Sequence, residues 1–359
     1  MRQAESVQRL VYVGSRYGLE TKVLPRYPWV EFYALPIRGI ARPGQRPFWA
    51  LWAFFALVQL PIALAQALYI LFKVRPTVII GFGGYGAFAP LLWGLLFRIP
   101  FYLHEQNLVP GVVTRLFAPW AKKVFLTYPQ TARYLRARHV IVTGLPIRPE
   151  ILSARPDHRR FGLRPERKTV LVFGGSKGSR ILIEMALQAQ RSLDDVQFLI
   201  ATGEQINPQT FDSSNPSNTL RLLPYIHEMG TALATADLVI CRAGAATLAE
   251  LAAVGKRAIV VPWPGAAHDH QTANATSLAH LGIFSVVTES ELTPQRLVEE
   301  IKKQSALVLP CRTAAPQHKS TALDFILREV LCDATKEHNT APLSWDRRRR
   351  HEWVGQSLF

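Results

Sequence analysis

Short, continuous apolar runs alternate with helical segments along most of this 359-residue chain, and that alternation leaves few folds open. A run such as Val170-Leu171-Val172-Phe173 has no polar face, so both of its sides must be covered. Strands of that kind belong to parallel sheets, and each parallel step needs a crossover long enough for a helix. In the first half the candidate strands are Leu10–Val13, Val78–Gly81, Phe101–His104, Lys123–Leu126 and Val140–Thr143. In the second half they are Thr169–Phe173, Gln197–Ala201, Thr219–Leu223, Leu238–Cys241, Ala258–Val261 and Ser285–Val287. Two such series predict an α/β chain of two Rossmann-like parallel-sheet domains facing a cleft, because open sheets take ligands beyond the carboxyl ends of their strands. The stretch Gly144-Leu145-Pro146-Ile147-Arg148-Pro149 is the natural linker. The expected division is residues 1–145, residues 146–330 closed by a helix over Ala322–Val330, and a basic, disordered tail over 331–359.

With 48% hydrophobic residues the chain can bury two cores of ordinary size. Its cysteines, Cys241, Cys311 and Cys332, show neither metal spacing nor a disulfide framework, which fits a reducing compartment. The leader Met1–Gln8 is polar, and no apolar signal-peptide core follows it. A formal net charge of +16 invites nucleic acid, anionic lipid or a phosphorylated substrate. No recognised nucleic-acid motif is present, so nucleic acid is set aside. Part of the charge sits in Arg347–Arg350, which reads as a solvated run.

Phe48–Phe72 carries no charged residue and is long enough to span a bilayer. A single crossing would put Leu10–Val13 and Val78–Ile80, strands expected in one sheet, on opposite sides of the membrane. The better expectation for Phe48–Arg75 is one or two helices, broken near Pro61, lying in the interface of an anionic membrane surface with basic flanks. An ordinary core helix is the plain alternative.

Four polar or glycine-rich loops follow candidate strands. Gly81-Phe82-Gly83-Gly84-Tyr85-Gly86 matches G-x-G-x-x-G, with Glu105 at a later strand end, as a dinucleotide fold would want. That pattern alone allows a nicotinamide-dependent oxidoreductase, although it normally opens its domain. Gly174-Gly175-Ser176-Lys177-Gly178-Ser179 leads from a strand into a helix and could cradle a phosphate, although it lacks P-loop spacing. His104-Glu105-Gln106-Asn107 puts a row of polar residues at a strand end, which favours a ligand-facing loop. Cys241–Gly255 reads as strand end, glycine turn and helix. Its N-terminus suits phosphate, Glu250 lies about two turns in at reach of a ribose diol, and Gln271 and Asn274 could read sugar hydroxyls. No metal-ligand pattern is present and no cofactor is implied.

Together these pieces resemble one family. VYVGSRYGLETKVLP, GFGGYGAFAP, LHEQNLVPG, TGLPIRPE, VLVFGGSKGSR, LPYIHEMG, CRAGAATLAEL and DHQTANA, in this order from Val11 to about Asn274, are similar to the bacterial N-acetylglucosamine transferases that make lipid II. The resemblance implies a two-domain GT-B fold, metal-independent transfer from UDP-N-acetylglucosamine to lipid I, and peripheral docking on the cytoplasmic membrane face through the Phe48–Arg75 region. It also implies roles. Ser176 and its loop would hold the donor diphosphate, Ile226 would meet uracil through its backbone, and Glu250 would hold the ribose. The turn formed by Ala245, Ala246, Thr247, Leu248 and Ala249 would lie against phosphates and sugar. Gln271 and Asn107 would contact N-acetylglucosamine, and Arg148 would lie at the nucleotide.

Two departures stand out. Leu145 replaces the family's usual Asn. The opening strand, its GGTGGH-like loop and the helix after it are absent, and MRQAESVQ reads as the end of that helix, so a truncated reading is expected. A non-catalytic UDP-sugar-binding paralogue is the alternative. His104 and Glu105 are the only nearby candidates for a general base, and neither is a strong one.

Overall fold

A computed structural model describes residues 7, 9–37, 49–211, 220–306, 322–340 and 352–355. Contacts divide the chain into two compact units, one of Met1–Leu145 with Ser320–Phe359, the other of Pro146–Lys319.

The strands, in chain order, are β1 (Arg9–Ser15), β2 (Val30–Leu35), β3 (Val78–Gly81), β4 (Phe101–Glu105), β5 (Val124–Leu126), β6 (Val140–Val142), β7 (Lys168–Phe173), β8 (Val196–Ala201), β9 (Leu220–Leu223), β10 (Leu238–Cys241), β11 (Ala258–Val260), β12 (Phe284–Val286) and β13 (Glu352–Gly355). The first unit holds a seven-stranded sheet in the order β2-β1-β13-β3-β4-β5-β6. The second holds a six-stranded sheet in the order β12-β11-β10-β7-β8-β9. Every pairing is parallel, so in each sheet all the strands deliver their carboxyl ends to one edge.

Both sheets are covered on two faces. In the second unit Leu171, Phe173, Leu199 and Val239 pack with Leu248 and Leu251 on one side. Val170, Val172, Phe198 and Ile240 pack with Leu182, Ile183, Leu297 and Ile301 on the other. In the first unit Val11, Ile79, Leu103 and Val124 pack against the helices Trp49–Val74 and Phe88–Leu96.

Besides β2, an edge strand that the sequence reading did not include, the structure differs from the sequence expectations in three places. The apolar segment is one helix, Trp49–Val74, which runs through Pro61 rather than breaking there. Pro61 is exposed, so its missing backbone bond falls on the solvent side, where water can satisfy the freed carbonyl. Phe48 lies outside the described residues. The expected tail over 331–359 is the second difference. The helix Ala322–Thr340 continues past Cys332, and it belongs with the first unit rather than closing the second. Ile326, Leu327 and Val330 fill the other face of the first sheet against Val78, Ile80, Tyr102 and Phe125. Lys123 reaches Glu329 and Asp333, each at 2.7 Å, and the Tyr102 hydroxyl donates to Asp333 at 3.1 Å. The third difference is β13, which pairs between β1 and β3 where no strand was expected. Arg347–Arg350 lies outside the described residues.

Candidate functional site

The carboxyl edge of the second sheet gathers most of the residues singled out from sequence. β7 ends in the Gly174–Gly178 loop and runs into the helix Arg180–Gln190, with Ser179 at its N-cap. A Cβ on Gly178 would overlap the Thr202 carbonyl, and its φ of 81° lies in the left-handed region, so only glycine fits there. The loop is tied to the end of β8, because the Glu204 N–H donates to the Ser176 carbonyl at 3.0 Å. Ser176 is left half-buried at the mouth of this loop.

The neighbouring strand β10 turns at Gly244 into the nine-residue helix Ala245–Ala253. Gly244 is extended and no side chain caps the helix. The Leu248 N–H bonds the Gly244 carbonyl at 3.0 Å. Ala245, Ala246 and Thr247 precede the first intrahelical bond, so their N–H groups face outward with the positive end of the helix dipole. Ala246 is exposed and Thr247 half-buried, whereas Ala245 and Leu248 point their side chains into the core. Leu248 therefore supports the turn by packing, and its backbone N–H is already taken. Ala249 is half-buried on the same helix.

Glu250 follows two turns in. Its Oε1 accepts from Arg148 Nε at 2.9 Å, and Arg148 also lies 4.0 Å from Glu150. The Glu250 side chain is 13% exposed, and its second oxygen is not engaged by Arg148 Nε. Arg148 sits at the N-cap of the short helix Pro149–Leu152, which fixes its approach. Gln271, near the start of the helix His270–Leu278, accepts the Trp263 N–H on Oε1 at 2.9 Å, which leaves its amide NH2 to serve as a donor. Ile226 is buried, so only its backbone could meet a ligand. The rings of its neighbours Tyr225 and His227 meet at a tilt of 55°, centroids 4.9 Å apart. Asn274 is fully buried.

Arg242, which the sequence reading passed over, lies at the same sheet edge. It is a buried guanidinium directly after β10, in contact with Ser179, Val261, Pro262 and Glu289. An arginine immediately after a buried strand was the available signal, since arginine is seldom buried without paired groups.

His104, Glu105 and Asn107 belong to the other unit, at the carboxyl end of β4. His104 is fully buried, and burial pushes its imidazole down to about 4, with partial compensation from the Gly144 carbonyl. Its Nε2 lies 3.1 Å from that carbonyl, and Nδ1 has no hydrogen-bond partner. Glu105 is 2% exposed. One of its oxygens accepts the Asn107 N–H at 3.0 Å and Asn107 Nδ2 at 3.3 Å, and the other accepts the Gly111 N–H at 3.1 Å. Gln106 Nε2 bonds the Phe82 carbonyl at 3.0 Å, joining this loop to the Gly81–Gly86 turn. A carboxylate so fully occupied is not placed to grip a ribose diol, which removes the support that Glu105 lent to a nicotinamide oxidoreductase. Among the described residues, no group of three or more His, Cys, Asp or Glu side chains could hold a metal ion.

The same two units are found in known proteins. Residues 1–126 match the glycosyltransferase family 28 N-terminal domain, and residues 169–324 match the family 28 C-terminal domain. The UDP-N-acetylglucosamine–N-acetylmuramyl-(pentapeptide) pyrophosphoryl-undecaprenol N-acetylglucosamine transferase of Moorella thermoacetica is 36% identical, over 92% of this chain and 92% of that one. This chain is a family 28 glycosyltransferase. The enzyme of the same name from Lawsonia intracellularis is also 36% identical, over 81% of this chain and 80% of its own length. Crystalline Acinetobacter baumannii MurG superposes with a TM-score of 0.62 at 30% identity, covering 83% and 82% of the two chains. A kitacinnamycin glycotransferase superposes with a TM-score of 0.63 at 15% identity, over 93% and 92%, and shares the fold. The family 28 transferase is thus a GT-B hexosyltransferase of two parallel-sheet domains.

Proposed function

We propose that this family 28 transferase moves N-acetylglucosamine from UDP-N-acetylglucosamine to lipid I, forming lipid II for peptidoglycan synthesis. The observation that carries the donor half is the uncapped helix start at Ala245–Thr247 with Glu250 on the same helix, held by Arg148 from the start of the helix Pro149–Leu152. Outward N–H groups suit a diphosphate, and the free oxygen of Glu250 suits a ribose diol. Ser176 and its glycine loop would embrace the diphosphate from the β7 side. Ile226 would offer its backbone to uracil, and Gln271 its amide to the sugar.

The reaction is inverting and metal-independent in this reading. The C4 hydroxyl of the muramoyl residue attacks the anomeric carbon, the glycosidic bond to UDP breaks, and its electrons leave with the β-phosphate. The helix N–H groups stabilise that developing charge. His104 and Glu105 are both committed to holding loops, so neither is assigned as the base that takes the hydroxyl proton.

Docking on the cytoplasmic face of the membrane, without crossing it, is the matching location. Among the described residues, no helix is long and apolar enough to cross a membrane. Phe54, Val58, Ile62, Tyr69 and Phe72 are exposed along one long helix, and Leu96 and Phe97 are exposed beside it. Phe72 meets Phe97 edge-on at 5.4 Å, and Lys73, Arg75 and Arg98 adjoin them in the chain. That combination of apolar surface and basic charge suits an anionic interface. Flotation with anionic vesicles tests it: wild type should co-float, and the double variant F72S/F97S should stay in the dense fraction.

A further inference from the structure

Arg242 is a buried cation of the second unit held by several protein groups, and it is not among the residues expected to touch donor. Its side chain is 10% exposed. Nη2 donates to Ser179 Oγ at 2.9 Å and pairs with Glu289, while Nη1 donates to the carbonyls of Val261 at 3.3 Å and Pro262 at 3.2 Å. These partners stand at the ends of different strands. Ser179 closes the glycine loop after β7, Val261 and Pro262 follow β11, and Glu289 follows β12. One fork rooted at the end of β10 therefore spans the sheet edge on both sides. Two of these partners lead directly to a proposed donor contact. Ser179 is the N-cap that ends the Ser176 loop. Pro262 precedes Trp263, whose N–H holds Gln271 Oε1.

We propose that Arg242 is a positioning residue that sets the spacing between the diphosphate loop at Ser176 and the sugar-reading segment at Gln271. The proposal rests on the assignment of this edge to UDP-N-acetylglucosamine. Both guanidinium Nη atoms already serve protein groups, so Arg242 acts through the loops rather than on the phosphates. The side-chain partners of Arg242 include neither of the proposed uridine contacts, Ile226 and Glu250. Loss of the fork therefore acts selectively along the ligand.

Calorimetric titration of the full chain with UMP, UDP and UDP-N-acetylglucosamine tests this. For Arg242→Gln, UMP affinity should stay within about twofold, and UDP-N-acetylglucosamine affinity should fall by tenfold or more, as expected for about one lost buried charged hydrogen bond. UDP should fall in between. Arg242→Lys keeps the charge opposite Glu289 but not the fork, and should show the same graded loss. Ser179→Ala, which removes one contact only, should weaken UDP by about threefold with UMP unchanged. Arg257→Gln is the control for general destabilisation. It is another buried arginine of this unit, bonded to the Gln304 carbonyl, and it should lower the melting temperature while leaving all three affinities intact. Equal weakening of all three ligands, or no weakening in Arg242→Lys and Ser179→Ala, would overturn the proposal. A wild-type chain that binds none of the three would instead remove the donor assignment beneath it.

Discussion

Glu105 shows how a polar residue in a promising motif can serve the backbone. Its two oxygens take the N–H groups of Asn107 and Gly111 and the Asn107 amide inside a buried loop. Glu105→Ala would leave those donors unsatisfied, at a cost of about 2–4 kcal/mol, measurable by urea unfolding. The neighbouring His104 makes a pH-dependent prediction. Its imidazole titrates near 6.5 when unfolded and at about 4 when folded, because burial disfavours the cation. The folded state thus binds fewer protons in that window, and stability falls as pH drops from 6.5 toward 4. Burial sets the upper limit of the loss at about 3 kcal/mol. Unfolding of His104→Gln should be flatter over that interval, and an equally steep wild-type and variant profile would contradict this origin. The sequence marked both residues as polar in a strand-end loop. It could not mark them as internal, because the groups that occupy them, the Gly144 carbonyl and the Gly111 N–H, are brought there only by the turn of the chain.

At the scale of elements, the buried strands were legible because parallel strands have no polar face, and β3, β4, β7, β8 and β10 all read as apolar runs. β2 was missed for the complementary reason. It is an edge strand, and Glu31 within it stays exposed, paired to Arg9 at 2.6 Å, which breaks the apolar run. The glycine loop after β7 was legible as a turn, but not the reason for its glycines. At Gly178 that reason is the Thr202 carbonyl, which arrives from the neighbouring strand β8. Gly178→Ala should push the Ser176 loop away from β8 and weaken UDP by about tenfold or more, with UMP less affected, by the same calorimetry. Unchanged UDP affinity in this variant would mean that the loop does not carry the diphosphate. Pro61 misled because an exposed proline can sit inside a helix whose other face is packed.

At the scale of the molecule, the chain closes its first unit with its own last segments, and composition concealed this. A stretch dominated by Arg347–Arg350 reads as solvent-facing, yet it joins a helix and a strand that complete the first sheet. Ending the chain before Ala322 should strip Ile326, Leu327 and Val330 from Tyr102 and Phe125 and break the Lys123 clasp. That variant should unfold or aggregate in its first unit, read as loss of the cooperative melting transition. The second unit, with its proposed donor edge, contains none of those residues. The central claim concerns what that edge does in the whole chain, and transfer of radiolabelled N-acetylglucosamine from its UDP donor to lipid I in anionic vesicles tests it most directly. The account predicts labelled lipid II from the wild-type chain, reduced by about a hundredfold in Glu250→Ala as a buried, charge-assisted ligand contact is lost. Labelled product formed equally well by Glu250→Ala, or donor bound by wild type with no lipid II formed, would contradict it.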